Sequence, residues 1–502
     1  MTRRLRRILL RIAAVAAALS AAFGLLLVSD VLREPAPIPS TPAERPSPID
    51  RWTPVAGTHG YRTAAAAGAA LPKRWLVVGW DGADWDEILP MIEKGEMPHL
   101  ARMMRDGSYG ALATFRPTLS PVLWTTVATG EPPERHGIEG FEKPTTRVQR
   151  RLQGLFGRRR RVLYSNADRK VPALWDLLSS ERRPVLVVGY HNTHPVAHVN
   201  GVMVSSFLMQ GLQMLEGGGS ARAAADRRVF PPELAPEISA LQTDVEHRFP
   251  SALDRFADLT PADRRRALTD PNLDSDRDQF LYFLRFAYVH DTFNGEIAER
   301  FLPRLAPDVA FVHFQGIDFA SHYYLYFHDA SQYGNVGLDP SCRESLDALA
   351  PEYRRTLTAF MRYVDDWLGR LTAVLPADTA VMVLSDHGFD PVANCHTPGG
   401  HRAAPPGILV MSGPGIRAGA KIEGASLYDV FPTLAASLGL PLANDLRGHP
   451  LDAAFADGLL TPGSIRMVER LSVGKPFHPD TATPGPPDPE LELRLRSLGY
   501  VR

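Results

Sequence analysis

The sequence predicts an α/β sandwich, with a central, mostly parallel sheet covered on both faces by helices and a helical cap insertion. Three observations carry this reading. Apolar runs of strand length occur at Trp75-Leu-Val-Val-Gly-Trp-Asp81, Val309-Ala-Phe-Val-His-Phe-Gln-Gly-Ile-Asp318 and Ala380-Val-Met-Val-Leu-Ser-Asp386. Helical patterns alternate with them, which argues for a parallel sheet covered on both faces. Each run also ends in an aspartate. In open sheets of this kind ligands bind outside the carboxyl ends of the strands, so those aspartates stand where chemistry is expected.

The elements follow in order. Arg3, Arg4, Arg6, Arg7 and Arg11 precede an apolar run over residues 12–28. Residues 1–32 therefore read as a signal peptide or an uncleaved signal anchor, and the length of the run favours the anchor. Positive-inside logic then places the rest of the chain outside the cytoplasm, on the periplasmic or extracellular side. Residues 33–72 are rich in Pro, Ala and Thr and read as an extended linker. Order is expected from about Lys73. The strand at 75–80 leads through Asp81-Gly82 into a helical pattern that Asp106-Gly107 stops. Residues 171–200 form a helix-then-strand unit. Residues 205–280 show no clear strand and read as a helical insertion over the active face. Long helices are expected at 278–305 and 351–375, and a strand at 408–411. The folded domain closes near 455, and 456–502 is a Pro-rich tail with a short helix at 489–498.

Composition narrows the function. The 502 residues are 44% hydrophobic and 22% charged, as in ordinary globular proteins. A formal net charge of −1 gives no basic field for duplex nucleic acid. Only Cys342 and Cys395 are present, so a cysteine-rich zinc module is excluded. The two could pair in an oxidising compartment, but spacing alone does not bring them together.

The strand-end aspartates come with histidines. His322 follows Asp318 by four, His387 follows Asp386 directly, and His401 lies in Gly-Gly-His-Arg before the strand at 408–411. Three carboxylates and three imidazoles make a mixed donor set that suits zinc or a similar divalent metal. A two-metal hydrolase also needs an attacking oxygen beside ions about 4 Å apart. On spacing alone Thr118 and Ser120 are both candidates. A helix starting with Pro121 would make Ser120 its N-cap, where the helix dipole favours anionic oxygens.

These segments, taken together, resemble the alkaline phosphatase superfamily. Within it they are similar to the type I phosphodiesterase/nucleotide pyrophosphatase branch and to its bacterial group of predicted phosphohydrolases and phosphomutases. The signatures are Gly79-Trp-Asp-Gly82, Pro117-Thr-Leu-Ser-Pro-Val-Leu-Trp-Thr-Thr-Val-Ala-Thr-Gly130, Pro133-Glu-Arg-His-Gly-Ile138, Asn200-Gly-Val-Met-Val-Ser205, Gln315-Gly-Ile-Asp-Phe-Ala-Ser-His322, Ser385-Asp-His-Gly-Phe389 and Gly400-His401. They run in family order over about residues 74–455. Each is weak alone, and their combination is specific.

The resemblance implies an alkaline-phosphatase-like fold and two divalent ions, zinc first and manganese as the alternative. One ion would be held by Asp318, His322 and His401. The other would be held by Asp81, Asp386, His387 and the nucleophile oxygen. A gap-free match to the family's threonine motif puts the nucleophile at Ser120. The implied activity is hydrolysis of a phosphate ester, a diester rather than a monoester, through a phosphoseryl intermediate. The alternatives are phosphomonoesterase, phosphotransferase or phosphomutase chemistry on the same site, or a catalytically silent metal-stabilised binding protein.

The chain also departs from the family. Nucleotide pyrophosphatases usually carry an asparagine three residues after the nucleophile; here that residue is Leu123, followed by Trp124. No arginine matches the phosphate-binding arginine of alkaline phosphatases. The sulfatase pattern Cys/Ser-x-Pro-x-Arg is also absent. His136 reads as a structural histidine in a tight turn. His191, His194 and His198 form a local cluster for which a third metal site is the lesser reading, and Cys395 and His396 read as loop residues near the site without ligation. The run Arg158-Arg-Arg-Arg161 reads as a solvated loop, with contact to anionic lipid as its functional alternative.

Overall fold

The computed structural model describes residues 41–42, 47–52, 70–143, 163–206, 228–267 and 276–472. The expected N-terminal anchor at 1–32, the Arg158–161 run and the expected helix at 489–498 lie outside the described residues. Among the described residues no helix is long and apolar enough to cross a membrane.

One nine-stranded sheet organises the chain. Its strands are β1 (Arg74–Trp80), β2 (Ser108–Leu112), β3 (Val185–Val188), β4 (Gly201–Val204), β5 (Val229–Phe230), β6 (Val309–Phe314), β7 (Thr379–Leu384), β8 (Gly407–Ser412) and β9 (Ala420–Ile422). The order is β9-β2-β8-β7-β1-β6-β3-β4-β5. The run β7-β1-β6-β3-β4 is parallel throughout. β8 is antiparallel to both β7 and β2, and β5 is antiparallel to β4.

The parallel strands are apolar because both their faces are covered. Leu76, Val78 and Trp80 of β1 enter the core of one face, and Trp75 and Val77 enter the core of the other. The first face is covered by α1 (Trp85–Glu93), α2 (Pro98–Asp106) and the helices between residues 235 and 373. Those are α5 (Ala235–Phe256), α6 (Pro261–Ala267), α7 (Asp276–Leu305), α8 (Gly316–His328), α9 (Pro340–Tyr353) and α10 (Thr356–Ala373). The second face is covered by α3 (Ser120–Thr129), α4 (Leu174–Ser180) and α11 (Leu427–Ser437).

The described part of the 205–280 insertion is helical apart from the short edge strand β5. Its helix α5 packs on α7 and α10, with Arg248 paired to Glu296 at 2.7 Å. Its far end is gripped by Arg355, which donates to both oxygens of Asp258 and to the carbonyls of Asp254 and Arg255.

Two expectations are corrected. The helix predicted over 351–375 is two helices, α9 and α10, that meet at Arg354 and Arg355. Pro351, which reads as a helix start, lies inside α9. The break is fixed from outside the helix, by the Arg355 grip and by Thr356 Oγ1 donating to the Phe256 carbonyl at 3.0 Å. The 33–72 stretch is not a linker throughout. Ile49 is fully buried, and Trp52 sits edge-on to Tyr109 and donates to Glu93 at 3.1 Å. Two apolar side chains in a Pro-rich stretch find a groove, and their burial outweighs the composition. In the tail, Met467–Val468 pairs with Leu442–Ala443, so the chain stays on the domain to that point.

Buried Asp291 of α7 sets the start of α8. Its carboxylate accepts the backbone N–H of Gln315 at 2.9 Å and of Gly316 at 3.0 Å. Helix starts carry such N–H groups without intrahelical partners. Replacing Asp291 by Ala leaves these two buried donors unsatisfied. We expect a loss of about 1–3 kcal/mol in unfolding free energy, read by urea denaturation.

Candidate metal centre and active site

β1 delivers Asp81 and turns at Gly82, where φ is +73°. A side chain at Gly82 would also collide with Phe389, 2.5 Å from its Cβ position, so only glycine fits this turn. β7 delivers Ser385, Asp386 and His387. β6 leads through Gln315 into α8, whose first two turns present Asp318 and His322. His401 comes from the loop between β7 and β8. All seven residues expected at the site, Ser120 included, are at most 5% exposed.

Backbone carbonyls orient two of the imidazoles. His387 Nδ1 donates to the Gly388 carbonyl at 3.0 Å, and His322 Nδ1 donates to the Gly399 carbonyl at 3.0 Å. A carbonyl cannot donate, so the proton of each neutral ring is on Nδ1 and Nε2 carries a lone pair. His387 Nε2 then stands 3.5 Å from Asp386 Oδ2 and 3.7 Å from Asp81 Oδ1. His322 Nε2 stands 3.6 Å from Asp318 Oδ1. The His387 and His401 rings stack with centroids 4.1 Å apart, and those of His322 and His401 are 5.0 Å apart. Donor atoms of Asp318, His387 and His401 lie within 4.8 Å of one another, as do those of Asp81, Asp386 and His387. His387 therefore belongs by distance to both groups, and His322 flanks the first.

This arrangement fits divalent metal. Asp386 Oδ2 and His387 Nε2 are buried and make no hydrogen bond, although they face each other. Two acceptors turned together in a dry site are what a cation between them satisfies. The electrostatics agree. Burial, together with the charges of Asp81 and Asp318, pushes the Asp386 carboxyl well above the usual carboxylate range. Burial opposes the charge on Asp81 too, but polar contacts from His191 and His313 and the nearby His387 hold it well below that range. Burial drives His322 down to about 3 and depresses His387 and His401 as well. These imidazoles are therefore neutral at physiological pH, the form that binds metal.

The two candidate hydroxyls separate clearly. Thr118 Oγ1 donates to the His401 carbonyl. Ser120 Oγ instead points at Asp81, 3.3 Å from Oδ1. Ser120 is the first residue of α3 and Leu119 is the N-cap, one position from expectation, so the hydroxyl still sits at the positive end of the helix dipole. Leu123 is fully buried in the core. Trp124 is also fully buried, and its Nε1 donates to Asp81 Oδ2 at 3.0 Å. It holds the carboxylate instead of lining an open pocket. Its ring fits against β1 because position 79 is glycine; a Cβ there would lie 2.6 Å from the indole.

Two further histidines reach Asp81. His313 of β6 places Nε2 3.2 Å from Oδ2, and His191, beyond β3, places Nε2 3.4 Å from the same oxygen. The sequence offers His191 only as one of a cluster with His194 and His198, and His313 not at all. His313 sits inside an apolar strand, and His191 was grouped with His194 and His198. The three do not cluster on one ligand position: His198 stacks on Phe230, while the carbonyl of His194 accepts from Asn166. Following the carboxyl end of β3, as for β1, β6 and β7, is the signal that finds His191. His136 is structural, as expected: Nε2 bonds Thr126 Oγ1 and Nδ1 accepts the Ile138 N–H. Cys342 and Cys395 form a disulfide that ties α9 to the loop before His401. His396 is exposed and outside the donor groups.

Fold and site together define an α/β protein with a buried Asp/His centre suited to divalent metal at the carboxyl ends of a parallel sheet. The chain belongs to the type I phosphodiesterase/nucleotide pyrophosphatase family of phosphoric ester hydrolases, whose profile matches residues 75–423. No curated protein matches the sequence. Three solved structures are distantly similar. Phosphonoacetate hydrolase from Sinorhizobium meliloti 1021 is 16% identical over 64% of this chain and 58% of its own, with a TM-score of 0.33. Murine ectonucleotide pyrophosphatase/phosphodiesterase 5 is 13% identical over 73% of this chain and 95% of its own, with a TM-score of 0.40. The 2-O GAG sulfatase BT1596 is 14% identical over 78% of this chain and 76% of its own, with a TM-score of 0.43. Family membership rests on the profile match, not on these neighbours.

Trp124→Phe keeps the buried ring and removes only the N–H that holds Asp81. Groups that orient metal ligands typically matter by about 10–100-fold in affinity. We expect a loss of that size in zinc affinity, read by chelator competition, with the circular dichroism spectrum unchanged.

Proposed function

We propose that the chain is a metal-dependent phosphodiesterase that works through a phosphoserine at Ser120. The observation that carries this reading is the Ser120 hydroxyl, directed at Asp81 Oδ1 at 3.3 Å beside the Asp/His groups. Asp318, His322 and His401 would hold one divalent ion. Asp81, Asp386, His387 and Ser120 Oγ would hold a second, with zinc the first choice and manganese the alternative. Ions there would supply Lewis acidity, which lowers the pKa of a neighbouring hydroxyl and offsets phosphoryl charge.

The protein's own groups do the rest. Asp81 fixes the direction of the Ser120 hydroxyl. The start of α3 presents its positive end to the anionic phosphoryl group. Ser120 Oγ forms a bond to phosphorus while the ester oxygen leaves as the alcohol. Water then attacks the phosphoserine in line, releases the phosphate monoester and restores Ser120. Phosphate esters outside the cytoplasm fit best as substrates. The arginine-led apolar N-terminus supports that compartment, and a disulfide accords with an oxidising one.

The test uses the full chain, stripped of metal and reloaded with zinc or manganese. Turnover of bis-p-nitrophenyl phosphate should exceed that of p-nitrophenyl phosphate. Ser120→Ala should lower it by at least about 10³-fold while metal content changes little. Preference for the monoester would replace this reading with a phosphatase or phosphomutase, and metal-loaded protein with no turnover would favour a binding role.

A further inference from the structure

We propose that the chain holds a third divalent metal ion, bound by Asp81, His191 and His313 and bridged to the neighbouring centre through the Asp81 carboxylate. The two oxygens of Asp81 face different neighbours. Oδ1 faces Ser120 Oγ at 3.3 Å and His387 Nε2 at 3.7 Å. Oδ2 faces His313 Nε2 at 3.2 Å and His191 Nε2 at 3.4 Å. One ligand atom from each of Asp81, His191 and His313 lies within 4.8 Å of the other two. This group shares Asp81, and no imidazole, with the pair of groups that share His387.

His313 is the decisive residue. It is fully buried, and neither ring nitrogen makes a hydrogen bond. Its Nε2 is close to Asp81 Oδ2 without the alignment that an N–H···O bond requires. A nitrogen and a carboxylate oxygen in that relation are both satisfied by an atom placed between them. Trp124 Nε1 takes one lone pair of Oδ2, at 3.0 Å, and a carboxylate oxygen has a second.

Gln315 adds a fourth donor. Its side-chain nitrogen lies 2.9 Å from His191 Nε2, while its oxygen is buried without a partner. A half-turn of that amide, a change ordinary for glutamine, places the oxygen beside His191 Nε2 instead. Two imidazoles, a carboxylate and an amide oxygen favour zinc or cobalt over magnesium or calcium. His191, the partly exposed member, marks the side from which the ion is reached.

This inference adds to the two-ion reading above, and the experiment separates the two. The full chain would be stripped with chelator, dialysed against zinc, and its bound metal counted by mass spectrometry. We expect three ions per chain in the wild type and two in each of His313→Gln and His191→Gln. Loading with cobalt should give a visible-band difference between wild type and either variant, the signature of a lost imidazole ligand. Asp318→Asn should lose an ion from the other centre while the cobalt difference persists. Two ions in the wild type and two in both histidine variants would overturn the third site and leave the two-ion reading standing. A wild type with no bound metal would overturn both. His191→Gln, at the partly exposed position, keeps the test decisive where His313→Gln does not fold, which thermal melting reports.

Discussion

The carboxylate of Asp81 has no access to solvent, yet it is the point on which the site converges. A buried carboxylate is expensive unless it is paired or hydrogen-bonded. Here a serine hydroxyl, an indole N–H and three imidazoles gather on its two oxygens. The sheet makes this possible. β1 lies between β6 and β7 in register, so Gly79 is opposite both His313 and Leu384. The chain leaving β1, β6 and β7 therefore emerges at one level. Asp81, Asp318 and Asp386 arrive from three distant parts of the sequence without any one loop needing to be long.

What fixes the side chains is one step removed from them. The Gly388 and Gly399 carbonyls set the tautomers of His387 and His322. Asp84 caps α1 by accepting from Glu87 and also accepts from Phe389, which ties the β1 turn to the loop after His387. The Gly399 loop is itself held. Tyr333 donates to the Pro398 carbonyl, and the disulfide anchors Cys395 to α9. Functional residues on loops keep their positions only when such contacts lock them to rigid elements. In this chain backbone carbonyls set the two imidazoles, and the side chains of Asp84 and Tyr333 and the disulfide hold the loops that carry those carbonyls.

This division explains what was legible in the sequence. The parallel core could be read because strands buried on both faces leave continuous apolar runs, as at residues 75–80 and 380–384. The strand-end aspartates could be read because residue type and position together are unusual. His313 could not be read in the same way. Within Val-Ala-Phe-Val-His-Phe it follows the strand pattern, and only the partner strand shows that it opposes a glycine and looks at Asp81. The docking of Ile49 and the break before Thr356 depend on groups far away in sequence, the groove near Tyr109 and the end of α5. Local pattern carries no trace of such contacts. The choice between Thr118 and Ser120 was open on spacing for the same reason, because the acceptor that occupies Thr118 is the carbonyl of His401.

The replacement at position 123 moves polar work to another part of the site. Leu123 and Val127 are four apart on α3 and both lie in the core of the second face, so that side of the helix is closed to substrate. Trp124 turns the other way, to Asp81. No polar side chain at 123 or 124 is therefore available to a phosphoryl oxygen. His191, beyond the end of β3, lies beside Asp81, and Gln315, at the end of β6, touches His191 at 2.9 Å. Asn192, next to His191, donates to the Pro121 carbonyl and to Thr125 Oγ1, and so braces the first turn of α3 behind Ser120. The loop after β3 thus meets both the start of α3 and the Asp81 carboxylate. Under the proposed phosphodiesterase reading, that loop is where discrimination between phosphate esters would lie, because Leu123 and Val127 are turned into the core.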